Sequence, residues 1–294
     1  MNNYIIATSS TCDLTREYLE EHHIPFIRYT YTMGDDLYED DCSEESRIVA
    51  YKNMRDGNML KTSMINEYLY YEFFKKLLDT GKDVIFLDMS REMSVSFANA
   101  IRAGEQIREE YPNQKLYIMD TCCISGGLGV LVENMVTLME RGTGFDELVS
   151  WGEGNKLKIA HRFTVDDLKY LKASGRVSNA SAMVGSLLSI KPVLYVPDRG
   201  TLDLVKNVRG RKAAIRTIVD GILNDLDKID PSGMSIHILH ADSKEDAEKI
   251  RDGIYDKHPE VGEVSVTSLG VVIGAHVGPG LLAVFYLCSG RSPE

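Results

Sequence analysis

A set of hydroxyls and one imidazole stand where this chain could do chemistry. Thr62 and Ser63 come just before a helical pattern over 65–78, Ser94 and Ser96 open another over 94–110, and Ser90 ends the apolar run between them. Hydroxyls at such junctions are ordinary helix caps. They also stand where free N–H groups and the positive end of a helix dipole collect, so two junctions meeting at one point would bind an anion. In a parallel sheet these junctions gather at the carboxyl ends of the strands, where ligands bind. His276 lies in Gly274-Ala275-His276-Val277-Gly278-Pro279-Gly280, an apolar run whose glycines permit close approach. Such a histidine is either a core residue or a ligand contact. Small hydroxyl donors beside an imidazole suit a carboxylate, because together they satisfy several lone pairs and offset its desolvation.

Other chemistries lack their residues. No G-x-x-x-x-G-K-[ST] loop is present, and the glycines at 126, 127 and 129 miss the dinucleotide fingerprint because Val132 stands at its last position. Their use is a tight strand-to-helix turn that lets backbones approach. The G-x-S-x-G elbow and H-E-x-x-H are absent. His237 and His240 lie three apart on one strand pattern, point to opposite faces and cannot share a metal. His22-His23 reads as a solvated pair at a helix C-terminus. No metal site and no cofactor is expected. The cysteines 12, 42, 122, 123 and 288 have no C-x-x-C spacing and an odd count, which fits reduced thiols in a cytoplasm.

The elements that must position these groups alternate strand and helix. Strand patterns at 4–8, 25–33, 84–89 and 116–120 interleave with helical ones at 14–22 (Asp13 as cap), 44–54 (Ser43 as cap), 65–78, 94–110 and 125–141. This order implies a parallel sheet covered by helices on both faces. Beyond Gly144 the pattern mixes strands at 159–163, 236–240, 263–268 and 282–287, a hairpin of 192–197 with 201–206, an apolar stretch over 180–189, and helices at 165–172, 212–226 and 244–257. That is an α+β sandwich, with a domain boundary near 150 (1–150 and 151–294) and the chain free to cross between the two. Residues 269–288 carry no Asp, Glu, Lys or Arg, yet their glycines and His276 argue for two buried strands around a Gly/Pro loop rather than a membrane span. The opening residues lack a basic, apolar leader, so no signal peptide is expected. A net charge of -11 over 294 residues disfavours nucleic acid and anionic membrane as partners.

The segments TSSTCDL (8–14), KTS (61–63), MSREMSVSF (89–97), DTCCISGGLG (120–129), FTVDDLKYLKASGRVS (163–178), IKP (190–192), VRGRK (208–212), HAD (240–242) and IGAHVGPG (273–280) resemble, in order and spacing, the motifs of the DegV family. The resemblance covers nearly the whole chain. It implies a two-domain DegV-like α/β fold, without catalysis of its own, that buries a long-chain fatty acid. It also implies a partner, the ATP-binding subunit of a bacterial fatty acid kinase, which converts the presented carboxylate to an acyl phosphate. Carried over residue by residue, Thr62, Ser94 and His276 fall on the carboxylate-binding positions, with Ser63 and Ser96 beside them as further contacts, and Arg176 falls on the arginine of kinase docking. An arginine there suits two-point recognition of carboxylate or phosphate, as lysine would not.

The pattern is broken at Ser9, where the family has Asp, at Arg91 for Ser, at Val95-Ser96 for Gly-Thr, at Ile65 for Pro and at Ser174 for Gly. These changes leave the expected carboxylate ligands in place and bear on cavity shape and the Arg176 loop. Two other readings stay open: an acyl hydrolase or transferase using Ser94 or Ser96 with His276 as base, and a regulator that senses acyl chains.

Overall fold

Asp83–Asp88 is a short apolar run bounded by charged residues, and it forms a central strand of a four-stranded parallel sheet in the order Phe26–Ile27, Tyr4–Ser9, Asp83–Asp88, Leu116–Asp120. The computed structural model describes residues 3–176 and 189–291. Val177, Ser178 and the expected apolar stretch over 180–189, apart from Ser189, lie outside the described residues. Val84, Ile85, Phe86 and Leu87 are all fully buried, so both faces of the strand are covered. Tyr70, Phe73 and Phe74 of the helix Glu67–Leu78 close on Phe86, mostly edge to face.

The second sheet is mixed. Its order is Asp203–Arg209, Ile190–Tyr195, Ile159–Thr164, Leu282–Leu287, Ile236–His240, Val264–Ser268, antiparallel except for the last pair. The strand Leu282–Leu287 alternates strictly. Leu282, Val284 and Tyr286 join a core under the helices Arg211–Leu226 and Lys244–Tyr255, while Ala283 and Phe285 join the larger core on the other side. On that side the helix Gly126–Glu140 packs against strands of both sheets. Its first turn has room for glycine only: a Cβ on Gly127 would meet His161 Nε2 at 2.0 Å. The expected close approach at these glycines is what the structure has.

Four expectations need correction. Asp13 caps no helix; it ends the turn Ser10–Cys12 in a left-handed conformation and accepts the Ser125 hydroxyl, and Thr15 caps the helix Arg16–Glu21 instead. The segment 25–33 is two strands, Phe26–Ile27 and Thr30–Met33, and the second belongs to a separate antiparallel sheet with Asp36–Glu39 and Lys61–Ser63. Thr62 and Ser63 therefore lie on a strand. The helix after them starts at Glu67, where Asn66 Oδ1 accepts the Leu69 N–H at 2.9 Å. Finally, the first half of 269–288 is the helix Val271–Val277, and only Leu282–Leu287 is a strand. The turn that leads into this helix is held from outside. Arg47 and the Tyr51 hydroxyl donate to the carbonyls of Ser268 and Leu269, and Gly274 lets the Tyr51 ring lie against the helix. Among the described residues no helix is long and apolar enough to cross a membrane.

Candidate functional site

A cavity of about 480 Å³ opens between the carboxyl-end loops of the parallel sheet and the inner face of the mixed sheet. Ile124, Phe163, Val196, Leu202, Ala283 and Phe285 give it apolar walls, and Thr62, Ser63, Ser94, Arg176 and His276 line it as well. Its size is that of an ordinary small-molecule site.

Three elements bring the polar residues together. The strand Lys61–Ser63 carries Thr62, the helix Val271–Val277 carries His276, and Thr62 Oγ1 lies 2.9 Å from His276 Nε2. Ser94 stands just before the helix Ser96–Glu110, where its Oγ accepts the Ser96 N–H at 3.2 Å and donates to Ser96 Oγ at 3.0 Å. Ser96 Oγ in turn accepts the Ile65 N–H at 3.0 Å, which ties the Ser94 turn to the Thr62 strand. Ser96 is fully buried and its oxygen is occupied, so its place is behind Ser94; Ser63 is exposed at the rim. The expected meeting of two helix N-termini does not occur. One helix start, at Ser96, and one strand supply the hydroxyls.

Burial, with a smaller contribution from the charge of Arg176, lowers the His276 pKa to about 4. The imidazole is neutral at physiological pH. Arg176 itself is exposed, with its Nη1 donating to the Ser174 carbonyl at 2.5 Å, and it borders the cavity close enough for its charge to act on His276. Val95 is 66% exposed at the rim. Arg91 pairs with Asp120 and lies over the Phe97 ring. Among the described residues no group of His, Cys, Asp or Glu is arranged to hold a metal ion. His237 instead pairs with Glu133 at 2.6 Å.

The structure adds a layer that sequence reasoning missed. Tyr29 is 2% exposed and lines the cavity beside Ser94. Behind it the Tyr70 hydroxyl donates to Asp88 Oδ2 at 2.8 Å, and Asp88 Oδ1 accepts from Ser9 Oγ at 2.7 Å and from the Met89 N–H at 2.9 Å. Burial pushes the Asp88 carboxyl up to about 6 against these hydrogen bonds. Ser9 thus departs from the family's Asp in a place where another buried carboxyl, Asp88, meets its hydroxyl. No local signal marked Tyr29, since a tyrosine in an extended apolar run reads as core.

A parallel sheet and a mixed sheet that enclose an apolar cavity, with hydroxyls and a neutral imidazole on its wall, define an α/β fold with a candidate ligand cavity. The chain belongs to the DegV family, a family of uncharacterised proteins whose model matches residues 4–289. Its relatives include a DegV domain-containing protein of Clostridium perfringens, 34% identical over all of both chains, and one of Lactococcus lactis, 31% identical over 95% of this chain and 96% of that one. Among solved structures it is similar to DegV of Bacillus subtilis, described as a fatty acid binding protein, at 26% identity and a TM-score of 0.84, covering 98% of this chain and all of that one. A stearic acid-binding protein of Eubacterium ventriosum, 22% identical, shares the fold at a TM-score of 0.88 over 98% of both chains.

Proposed function

We propose that the protein binds one long-chain fatty acid in this cavity, its carboxylate held by Thr62, Ser94 and His276, and presents it to a fatty acid kinase subunit. The observation that carries the reading is the Thr62–His276 pair set in the wall of an apolar cavity. A neutral imidazole and a hydroxyl can donate in series, Nε2–H to Thr62 Oγ1 and the Thr62 O–H to the ligand, without a buried cation. The apolar walls supply the affinity: each buried CH₂ contributes about 0.8 kcal/mol, or roughly 10 kcal/mol for an ordinary long chain before ordering costs. The Bacillus subtilis relative, described as a fatty acid binding protein, supports the same ligand class.

Carriage without chemistry fits the site better than hydrolysis. His276 pairs with Thr62 rather than with Ser94, and a base whose pKa is lowered to about 4 is a poor proton acceptor near pH 7. The exposure of Arg176 at the border of the cavity supports a role in meeting a docking subunit and the acyl head together. Native mass spectrometry of the purified protein tests the reading. The expected result is about one fatty acid per chain, retained through purification or taken up on addition. Protein that is lipid-free and takes up no acyl chain would sink it.

A further inference from the structure

Tyr29 is fixed before any ligand arrives. Its N–H donates to Ser10 Oγ at 3.2 Å and its carbonyl accepts the Asp40 N–H at 2.8 Å, so the backbone is pinned on both sides of the residue. The ring is 2% exposed, and the residue lines the cavity. The hydroxyl nevertheless has no hydrogen bond of normal length and geometry with any described residue, although the hydroxyls of Ser94, Ser96 and Tyr70 stand near enough to act on it.

Two of these neighbours send their own protons elsewhere. Tyr70 donates to Asp88, and Ser94 donates to Ser96 Oγ, a bond that it would exchange for one to a ligand carboxylate. An unpaired buried hydroxyl is destabilising, and native proteins keep few of them. Burial also raises the phenol pKa, so the group stays protonated and can only gain by giving its proton to an acceptor. Asp88, the nearest buried carboxyl behind it, is already met by Ser9, Tyr70 and the Met89 N–H.

We propose that the Tyr29 hydroxyl donates to the carboxylate of the bound acyl chain, as a positioning and specificity group that favours a free acid over a neutral-headed lipid. The inference rests on the carboxylate site proposed above and adds to it a donor from a different element. A phenol is a stronger donor than an aliphatic hydroxyl, and this one is held by its backbone rather than by the ligand, so little freedom is lost on binding.

Tyr29→Phe removes one oxygen atom and keeps the ring. The variant should bind palmitate about tenfold more weakly, while methyl palmitate binds as it does to the wild type. Thr62→Val combined with Ser94→Ala serves as the reference. If Tyr29→Phe holds palmitate at wild-type affinity while the reference variant is weakened, the Tyr29 role is wrong and the carboxylate site stands. If neither variant is weakened, the carboxylate lies elsewhere and both readings fall. An equal loss for palmitate and its methyl ester would mean that the hydroxyl shapes the cavity, which overturns the proposal. Should the variant fold poorly, a crystal structure of the wild type with palmitate decides the matter: a carboxylate oxygen within about 3.2 Å of Tyr29 Oη supports the role, and one beyond about 4 Å refutes it.

Discussion

Replacing Thr62 with valine isolates the hydroxyl on which the proposed head-group site turns. Valine keeps the branched shape on the strand Lys61–Ser63 and deletes only the oxygen that lies 2.9 Å from His276 Nε2. Two interactions go with it: a hydrogen bond to the ligand's charge and the contact that orients the imidazole. A hydrogen bond to a charged group is worth about 1.5–3 kcal/mol, so affinity for a long-chain acid should fall by about 10- to 150-fold. Competition against a fluorescent fatty acid at pH 7 measures this. The variant should unfold close to the wild-type denaturant midpoint, since the lost neutral bond is worth about 1 kcal/mol at a half-buried position. Because His276 is held at a pKa of about 4, it carries no charge between pH 6 and 8, and the ratio of the two affinities should be flat over that range. The variants Thr62→Val, His276→Phe and their combination form a cycle in which the double loss is smaller than the sum, because each single change already breaks the same relay. Wild-type affinity in Thr62→Val, or strictly additive losses, would refute the relay.

Three more outcomes follow from particular contacts. Arg176→Ala should hold its acyl chain within about fivefold of wild type, as an exposed charge contributes little. The same variant should lose acyl-phosphate formation when a cognate kinase and ATP are supplied; transfer at the wild-type rate would remove the docking role. Gly127→Ala would place a Cβ 2.0 Å from His161 Nε2, whose ring is buried and already accepts the Ile124 N–H, so urea unfolding should register a loss of about 1–3 kcal/mol. Asp88 has its pKa raised from 3.8 to about 6 in the fold, so the folded state binds its proton more tightly than the unfolded chain does. Stability linked to this group is fully present below pH 4 and is lost as pH rises through about 6. Relative to Asp88→Asn, the wild type should therefore weaken steadily from pH 4.5 to 7; a constant difference would show that the carboxyl titrates normally.

How far the sequence carried depended on the kind of signal. The strands at 84–89 and 116–120 and the helices at 44–54 and 94–110 stand within a few residues of their expected places, because each has one strong period and a cap or turn at its end. Ser43 caps its helix as read, with its Oγ accepting the Ser46 N–H. The helix Val271–Val277 was not legible: its β-branched residues favour a strand, and the groups that anchor the turn leading into it, Arg47 and Tyr51, lie more than two hundred residues away. A hydroxyl before a periodic segment is a cap by rule, which predicts Thr62 at a helix start, but Asn66 takes that place. Motif order points to Thr62, Ser94 and His276, all of which line the cavity, and it carries no sign of the strand-to-helix pairing that brings two of them together. Tyr29 was invisible for a simpler reason, since only a three-dimensional census of hydrogen bonds shows a phenol without a partner.

The pairing of Thr62 with His276 spans 214 positions of the chain, and the bonds that fasten the histidine's helix, Arg47 to Ser268 and Ser268 to Glu44, span 221 and 224. Closing a loop of that length has an entropic cost that local contacts cannot repay, so native pairing of this kind forms late in folding. On the ribosome, the parallel sheet, whose last strand ends at Asp120, is complete long before His276 is made. The nascent chain consequently passes through a stage with its first core assembled and its head-group site lacking a wall. The proposed acyl binding should then appear only once His276 is in place, and a refolding experiment should show ligand capture tracking the slowest native contact rather than the first burst of secondary structure.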